Sequence, residues 1–101
     1  MNFGLTVESY NKIKKVIEKY NKYTFKVFGS RARGDYKEAS DIDIAICSIV
    51  DDKTKFNIMN DFDMLDIPYM LDLVFTQDIS KQEFLKSIER DGEIWKIKKE
   101  F

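Results

Sequence analysis

Apolar residues recur at three- and four-residue steps in three parts of the chain, and this spacing predicts three amphipathic helices. The first covers about Thr6–Asn21. The second covers about Lys53–Leu65 and follows a candidate cap, Asp51-Asp52. The third follows Ser80-Lys81-Gln82-Glu83, which has the form of a capping box, and closes at Asp91-Gly92. The residues predicted to face the core from the second helix are Phe56, Met59, Phe62 and Leu65.

Period-two alternation predicts strands between these helices. The clearest is Asp41–Cys47, in which every even position is isoleucine, so one face of this strand must be buried. Tyr23–Phe28 and Tyr69–Thr76 are also predicted strands, and Glu93–Phe101 fits either a short strand or a helix. This order of elements favours the α/β or α+β class, with a sheet covered by helices.

The chain has 101 residues, a length typical of one compact domain, so residues 1–101 are predicted to form a single unit. Seventeen basic residues nearly balance eighteen acidic ones, which leaves a net charge of −1. This balance does not favour general electrostatic binding of nucleic acid or of a membrane surface.

The residue types that are rare or absent restrict the chemistry. Cys47 is the single cysteine, which excludes a disulfide within the chain and fits a reducing compartment. The first residues lack the basic and apolar segments of a secretory signal, so a cytoplasmic protein is expected. Histidine is absent, which removes the commonest general base and zinc ligand. Catalysis would therefore depend on carboxylates, hydroxyls, basic side chains or a bound metal ion.

Asp41 and Asp43 lie two residues apart on the alternating strand, so their carboxylates project from the same face, with Cα atoms about 6.5 to 7 Å apart. Carboxylates at this spacing can share a hard divalent cation such as Mg²⁺. The alternative is that they form the solvated face of a half-exposed strand. Two observations favour the metal ion. The same face continues with the small apolar Ala45 and Cys47, and like charges on a strand repel one another unless they are neutralised.

Asp72 is a third candidate carboxylate. It lies in an otherwise apolar strand, where an unpaired carboxylate is costly, so it requires a metal ion, a salt bridge or a position facing water. Asp61 and Asp63 also form an Asp-x-Asp pair, but in a helical segment, where residues two apart point about 200° away from each other. That second pair is therefore predicted to be solvated helix surface.

The segment Gly29-Ser30-Arg31-Ala32-Arg33-Gly34 follows the first strand. Glycine allows the backbone to approach a phosphate closely, while main-chain N–H, hydroxyl and guanidinium groups can donate hydrogen bonds to it. The segment lacks the Walker and dinucleotide-binding patterns, and an ordinary loop is the alternative. Its position at a strand end, ten residues before Asp41, would place phosphates and a metal ion in one cleft.

Gly29-Ser30, the ten-residue connection and Asp41-Ile42-Asp43 together resemble the signature of minimal nucleotidyltransferases of the DNA polymerase β superfamily. The resemblance covers about Tyr23–Cys47, roughly a quarter of the chain, and the later strand with Asp72 extends it. It implies a polymerase β-like fold, a mixed β-sheet flanked by helices.

The resemblance also implies roles for individual residues. Gly29 and Ser30 would hold the triphosphate of ATP. The catalytic carboxylates, which would also bind two Mg²⁺ ions, are Asp41, Asp43 and Asp72. Arg31 and Arg33 match basic positions common in the family, and for each a contact with the nucleotide phosphates, a structural bond and a contact with a partner are all open.

Larger relatives that modify antibiotics or RNA carry extra helical domains for the acceptor, and a chain of this length has no room for one. The resemblance therefore implies an acceptor held with another protein. Stand-alone minimal proteins of this kind often act as antitoxins that adenylylate a tyrosine of a HEPN-type ribonuclease toxin, a small helical protein. The leading hypothesis is such an AMP transfer from ATP.

Two alternatives to protein adenylylation stay open. One is a non-catalytic antitoxin that binds its partner and blocks it by occlusion. The other is nucleotidyl transfer to a small molecule or an RNA end that a helical partner subunit holds. Both a homo-oligomer and a hetero-oligomer are compatible with these hypotheses.

Overall fold

The computed structural model of the protein describes residues 2–97. Its elements in chain order are α1 (Val7–Lys19), β1 (Phe25–Phe28), α2 (Ser30–Arg33), β2 (Ile42–Ile46), α3 (Asp52–Asp63), β3 (Leu71–Phe75), a short 3-10 turn (Thr76–Asp78), α4 (Gln82–Asp91) and β4 (Glu93–Ile94).

The three helices and the three strands predicted from the sequence are all present. α2 is an additional helix of four residues inside the segment that the sequence predicts as a loop. The ambiguous last segment begins with strand β4, and its residues 98–101 lie outside the described residues. None of the helices within residues 2–97 is long and apolar enough to cross a membrane.

The helix ends follow local side-chain chemistry. Thr6 and Asp51 cap α1 and α3, because each side chain accepts a hydrogen bond from the main-chain N–H three residues later. The predicted capping box before α4 is wrong: the helix begins at Gln82, and its N-cap, Lys81, makes no capping bond through its side chain. Gly92 ends α4 as predicted.

The four strands form one mixed sheet in the order β3-β2-β1-β4. β1 pairs antiparallel with β2 and with β4, whereas β2 and β3 are parallel. The isoleucine face of β2 is completely buried, as predicted, in a core shared with α1 and α3. The opposite face carries Phe28 and Ala45, which cluster with Ile88 of α4. The predicted sheet flanked by helices is therefore confirmed, in an α+β arrangement.

α3 buries only part of the predicted stripe: Phe62 lies in the core and Leu65 packs against it. Ile58 and Phe62 are buried, whereas Phe56 and Met59 are 69% and 51% exposed, respectively. The predicted and the buried stripes both have helical spacing, and the placement of the helix over the sheet decides which residues are buried. The exposed pair borders an apolar groove of about 530 Å³ between α3 and the edge strand β3.

Candidate active site

Asp43 and Asp72 lie side by side on the parallel strands β2 and β3, in register with each other. Neighbouring strands are about 4.8 Å apart, so the two side chains leave the sheet at the same level. Side chains alternate along a strand, so both carboxylates project from the face opposite the buried Ile42 and Ile44. The parallel pairing of β2 with β3 therefore brings together two carboxylates that are far apart in the sequence.

Asp41 is the third carboxylate of this cluster, and we call Asp41, Asp43 and Asp72 the acidic group. Asp41 directly precedes β2 and is exposed, whereas Asp43 is half-buried. Burial raises the pKa of Asp43, and the negative charges of Asp72 and Asp41 raise it further. The positive charge of Arg33 lowers the pKa of Asp43. Asp43 thus lies within electrostatic reach of the other two carboxylates and of one guanidinium.

The donor chemistry of these carboxylates suits a divalent metal ion. Within residues 2–97, no three His, Cys, Asp or Glu side chains are already grouped closely enough to hold a metal ion. Carboxylate oxygens are nevertheless the ligands that Mg²⁺ prefers, and a bound cation would relieve the repulsion that raises the pKa of Asp43. Asp41, Asp43 and Asp72 therefore fit Mg²⁺ by donor type and by charge.

Gly29 joins β1 to α2 with a φ of 71° and a ψ of −154°, a conformation that only glycine adopts readily. A Cβ at this position would overlap the Oδ2 atom of Asp43. Ser30 follows as the first residue of α2, and the first N–H groups of a helix have no intrahelical acceptor. The turn therefore presents backbone donors and one hydroxyl next to the Asp43 carboxylate.

Arg33 lies on the exposed side of this turn. Its guanidinium pairs with Asp35 at 3.3 Å and with Asp91 at 3.6 Å. The Arg33 side chain is 45% exposed, and ion pairs at such exposed positions are weak. Of the two arginines in this turn, Arg33 is therefore the one whose guanidinium is accessible to a phosphate.

Arg31 is almost completely buried. Its guanidinium donates hydrogen bonds to the main-chain carbonyls of Phe3, Glu38 and Ser40. These bonds occupy donors that a phosphate would otherwise use. The geometry therefore favours the structural alternative for Arg31 over a contact with the nucleotide.

The rings of Tyr36 and Tyr69 flank the Arg31 guanidinium. No sequence pattern indicates this role, because the two tyrosines come from segments that are distant in the chain. The segment that forms α2 has four residues, too few to show a helical repeat, so the sequence gives no signal that Arg31 is buried.

The second Asp-x-Asp pair lies on α3, outside the acidic group. Asp63 is exposed, as predicted. Asp61 is partly covered, because it accepts hydrogen bonds from the Lys19 ammonium at 2.8 Å and from the Tyr20 hydroxyl at 2.5 Å. These bonds lower the pKa of Asp61, so this residue ties α3 to α1 and is more than solvated helix surface.

Comparison with known families adds to this geometry. The family described as "Polymerase beta, Nucleotidyltransferase" matches residues 11–100, a range that contains the Gly29-Ser30 turn and all three aspartates. A search of curated proteins gave no match. The match covers most of the chain, and the mixed sheet with flanking helices is the fold that the resemblance implies. The chain therefore belongs to the polymerase beta nucleotidyltransferase family and has its fold.

Proposed function

We propose that this nucleotidyltransferase transfers AMP from ATP to a tyrosine hydroxyl of a partner protein, and that the partner is a HEPN-type ribonuclease toxin for which the chain is a minimal-nucleotidyltransferase antitoxin. Family membership supports nucleotidyl transfer in general. The choice of a protein acceptor rests on the shape of the site.

The proposal of a protein acceptor depends on one observation: the acidic group lies open to solvent. Asp41 and Asp72 are both exposed, and Asp72 lies on β3, at the edge of the sheet. A small molecule binds best in a concave pocket that covers most of its surface. An open site at a sheet edge can instead receive a side chain that projects from a large partner.

The apolar groove between α3 and β3 supports a protein partner as well. Its border includes the exposed side chains of Phe56, Met59 and Met70. Contiguous exposed apolar surface is typical of protein–protein contacts, and methionine adapts to many partner shapes. Leu71 and Leu73 of β3 also line the groove, from the strand face opposite Asp72, so a protein seated there would reach Asp72 around the edge of the sheet.

In this proposal, Asp41, Asp43 and Asp72 are the residues that would hold two Mg²⁺ ions. When bound, the metal ions would stabilise the negative charge that develops on the attacking and leaving oxygens. Asp43 is central to the group because it is the half-buried member and lies next to both Asp72 and the Gly29 turn.

The residues of the chain would supply positioning and proton transfer. Ser30 and the first N–H groups of α2 would donate hydrogen bonds to the β- and γ-phosphates. Asp72, on the open edge, would accept the proton of the tyrosine hydroxyl. The phenolic oxygen would then form a bond to the α-phosphorus while the bond to the β-phosphate oxygen breaks and pyrophosphate leaves.

Incubation of the chain with the candidate HEPN protein, Mg²⁺ and α-labelled ATP tests the proposal. Label is expected on a tyrosine of the partner, and it is expected to be lost in the double variant Asp41→Asn, Asp43→Asn. Asp63→Asn is the matched control, because it makes the same chemical change at an exposed aspartate outside the site. Absence of label on protein with the active wild type would contradict protein adenylylation.

The same variants separate the alternatives. If the double Asn variant still neutralised the toxin as well as the wild type, the chain would act by occlusion rather than by transfer. If label appeared on a small molecule or an RNA end instead, the proposed acceptor would be wrong, while the proposed nucleotidyl transfer would stand.

A cytoplasmic location is part of the proposal, since ATP is abundant there and Cys47 is a free thiol.

A further inference from the structure

Arg31 is a buried cation that has no acidic partner in the described part of the chain. Its side chain is 1% exposed, and the ion pairs found within residues 2–97 do not include it. Four hydrogen bonds to main-chain carbonyls compensate its charge: Nη1 to Phe3 at 3.0 Å, Nη2 to Glu38 at 3.1 Å, and Nε and Nη2 to Ser40 at 3.1 and 2.9 Å. Burial of a charge is costly without such bonds, so the guanidinium and the three carbonyl groups fix one another's positions.

Two tyrosine rings complete the surroundings of the guanidinium. Its Cζ atom lies 4.9 Å from the ring centroid of Tyr36 and 4.8 Å from that of Tyr69, within cation–π range. A Cβ at Gly4, where φ is 73°, would overlap the Tyr36 ring, so this ring packs directly against the backbone of the N-terminal segment. We call Arg31, Tyr36, Tyr69 and the three carbonyl groups the Arg31 cluster.

The Arg31 cluster includes residues that lie just before β2 and just before β3. Ser40, which accepts two of the hydrogen bonds, is the residue before Asp41. Tyr69 is followed by Met70, whose carbonyl accepts a hydrogen bond from the Ile42 N–H at 2.9 Å. A displacement of the guanidinium would therefore move the chain on either side of Asp41 and at the entry to β3.

We infer that Arg31 is a positioning residue for the carboxylate group: it fixes the connection from residue 35 to residue 40, and thereby Asp41, and it does not bind phosphate. The inference rests on the proposed function for the role of Asp41 as a metal ligand. Arg33, whose side chain is 45% exposed, is the arginine left for the nucleotide.

The test compares Arg31→Lys with two variants of Tyr36. Lysine keeps the charge but lacks the planar fork that serves three carbonyls at once. Tyr36→Leu removes the ring, whereas Tyr36→Phe keeps it and is the matched control, because the Tyr36 hydroxyl makes no hydrogen bond to other residues in the range 2–97. Tyr36 is partly exposed, so its variants are expected to fold even if Arg31→Lys does not.

The first readout is the affinity for Mn²⁺ without nucleotide, measured by electron paramagnetic resonance. Loss of a group that orients a metal ligand weakens metal binding by about 10- to 100-fold. We expect a loss of about tenfold for Arg31→Lys and Tyr36→Leu and none for Tyr36→Phe. Wild-type Mn²⁺ affinity in Arg31→Lys, together with a raised KM for ATP at saturating metal, would identify Arg31 as a phosphate ligand and overturn the inference.

The second readout does not depend on the metal. The Ser40 N–H donates to the Lys37 carbonyl at 3.0 Å, so its hydrogen exchange reports opening of the connection. Exchange at Ser40 is expected to be faster in Arg31→Lys and Tyr36→Leu than in the wild type, and unchanged exchange would overturn the inference. If the wild type bound no Mn²⁺, the proposed function would fail, and the exchange rates would still decide the role of Arg31.

Discussion

The backbone of Gly29 and the carboxylate of Asp43 are in such close contact that a Cβ at position 29 would displace the turn or the carboxylate. The contact follows from the antiparallel pairing of β1 with β2, in which Phe28 lies opposite Asp43. The turn that would bind phosphate and the carboxylate that would bind metal are therefore held together by the sheet. Their relative position depends on strand pairing rather than on a flexible loop.

Gly29→Ala is expected to disrupt this contact. The substitution adds a methyl group against Asp43 and places alanine in a conformation that is nearly restricted to glycine, so the turn or the carboxylate must move. A displacement of about 1 Å at a catalytic group can reduce the rate about 100-fold, and we expect a loss of that order in AMP transfer at saturating ATP.

Gly34→Ala is the control for that variant. Gly34 also has a positive φ, of 92°, but no atom lies within 4 Å of the position of its added Cβ. Backbone strain alone is expected to cost about 1 to 2 kcal/mol in the free energy of unfolding. Transfer activity should stay near that of the wild type, and an equal loss of activity in both variants would show that the contact with Asp43 is irrelevant.

Asp43→Asn should increase stability while it abolishes activity. The pKa of Asp43 is raised in the folded protein, so its ionised form destabilises the fold above that pKa, and this penalty disappears as the pH falls through it. Asparagine removes the charge, and a higher Tm at pH 7 is expected.

The proposal also requires that Mg²⁺ raise the Tm of the wild type but not that of Asp43→Asn. At a Mg²⁺ concentration of 100 times Kd, the increase should be equivalent to about 2.7 kcal/mol.

The bond between Asp61 and α1 predicts a dependence of stability on acid pH. Hydrogen bonds from Lys19 and Tyr20 lower the pKa of Asp61, so its stabilising contribution is present above the ordinary aspartate pKa of about 3.9 and is lost as the pH falls through the folded value. Solvent partly screens this group, whose side chain is 25% exposed, so Asp61→Asn should cost about 0.5 to 1 kcal/mol at pH 7. Urea unfolding at several pH values gives the free energy of unfolding of the wild type and of Asp61→Asn. The two values should converge below about pH 4, and a difference that is constant with pH would contradict the assignment.

The same bond acts on Tyr20. Burial and the hydrogen bond to Asp61 raise the pKa of Tyr20 to about 12. In Asp61→Asn this phenol should titrate closer to the ordinary tyrosine value of about 10, which absorbance at alkaline pH can follow. Tyr20→Phe identifies the Tyr20 contribution to the titration curve, since the remaining tyrosines are unchanged.

The isoleucine face of β2 predicts where the fold is most sensitive. Ile44 is completely buried at the centre of the sheet, and Ile44→Ala is expected to cost about 2 to 5 kcal/mol in the free energy of unfolding. Ile49 lies just beyond β2 and is 86% exposed, so Ile49→Ala should change stability by less than about 0.5 kcal/mol. Chemical denaturation of both variants checks the contrast.

The regular elements were predictable because their signals are local. The period-two isoleucines of β2 and the three- and four-residue steps of α1 are repeated often enough to identify a strand and a helix. α3 shows the limit: Phe56, Met59 and Phe62 have helical spacing, but so do Ile58 and Phe62 with Leu65. Only the position of α3 beside the sheet edge decides that Ile58 is buried and Phe56 is exposed.

The candidate site was predictable to the extent that its motif is contiguous. The Asp-x-Asp pair and the glycine turn can be identified in the sequence, and the structure places Asp72 in register with Asp43. The sequence left a structural bond open for Arg31 but could not decide between the alternatives, because its partners Phe3, Ser40 and Tyr69 come from three separate segments. A basic residue in a glycine-rich turn is a candidate phosphate ligand in the sequence, and only the fold shows that carbonyl groups already surround it.

The edge position of β3 gives Asp72 a consequence beyond its proposed role in catalysis. An unpaired strand of apolar residues can join the edge of another sheet, and a charge in its middle prevents such joining. Asp72 is the charged residue in the sequence Leu-Asp-Leu-Val-Phe, so it also acts as a gatekeeper against aggregation. Uncharged replacements of Asp72 will therefore lose solubility together with activity, and light scattering has to accompany every assay of such a variant.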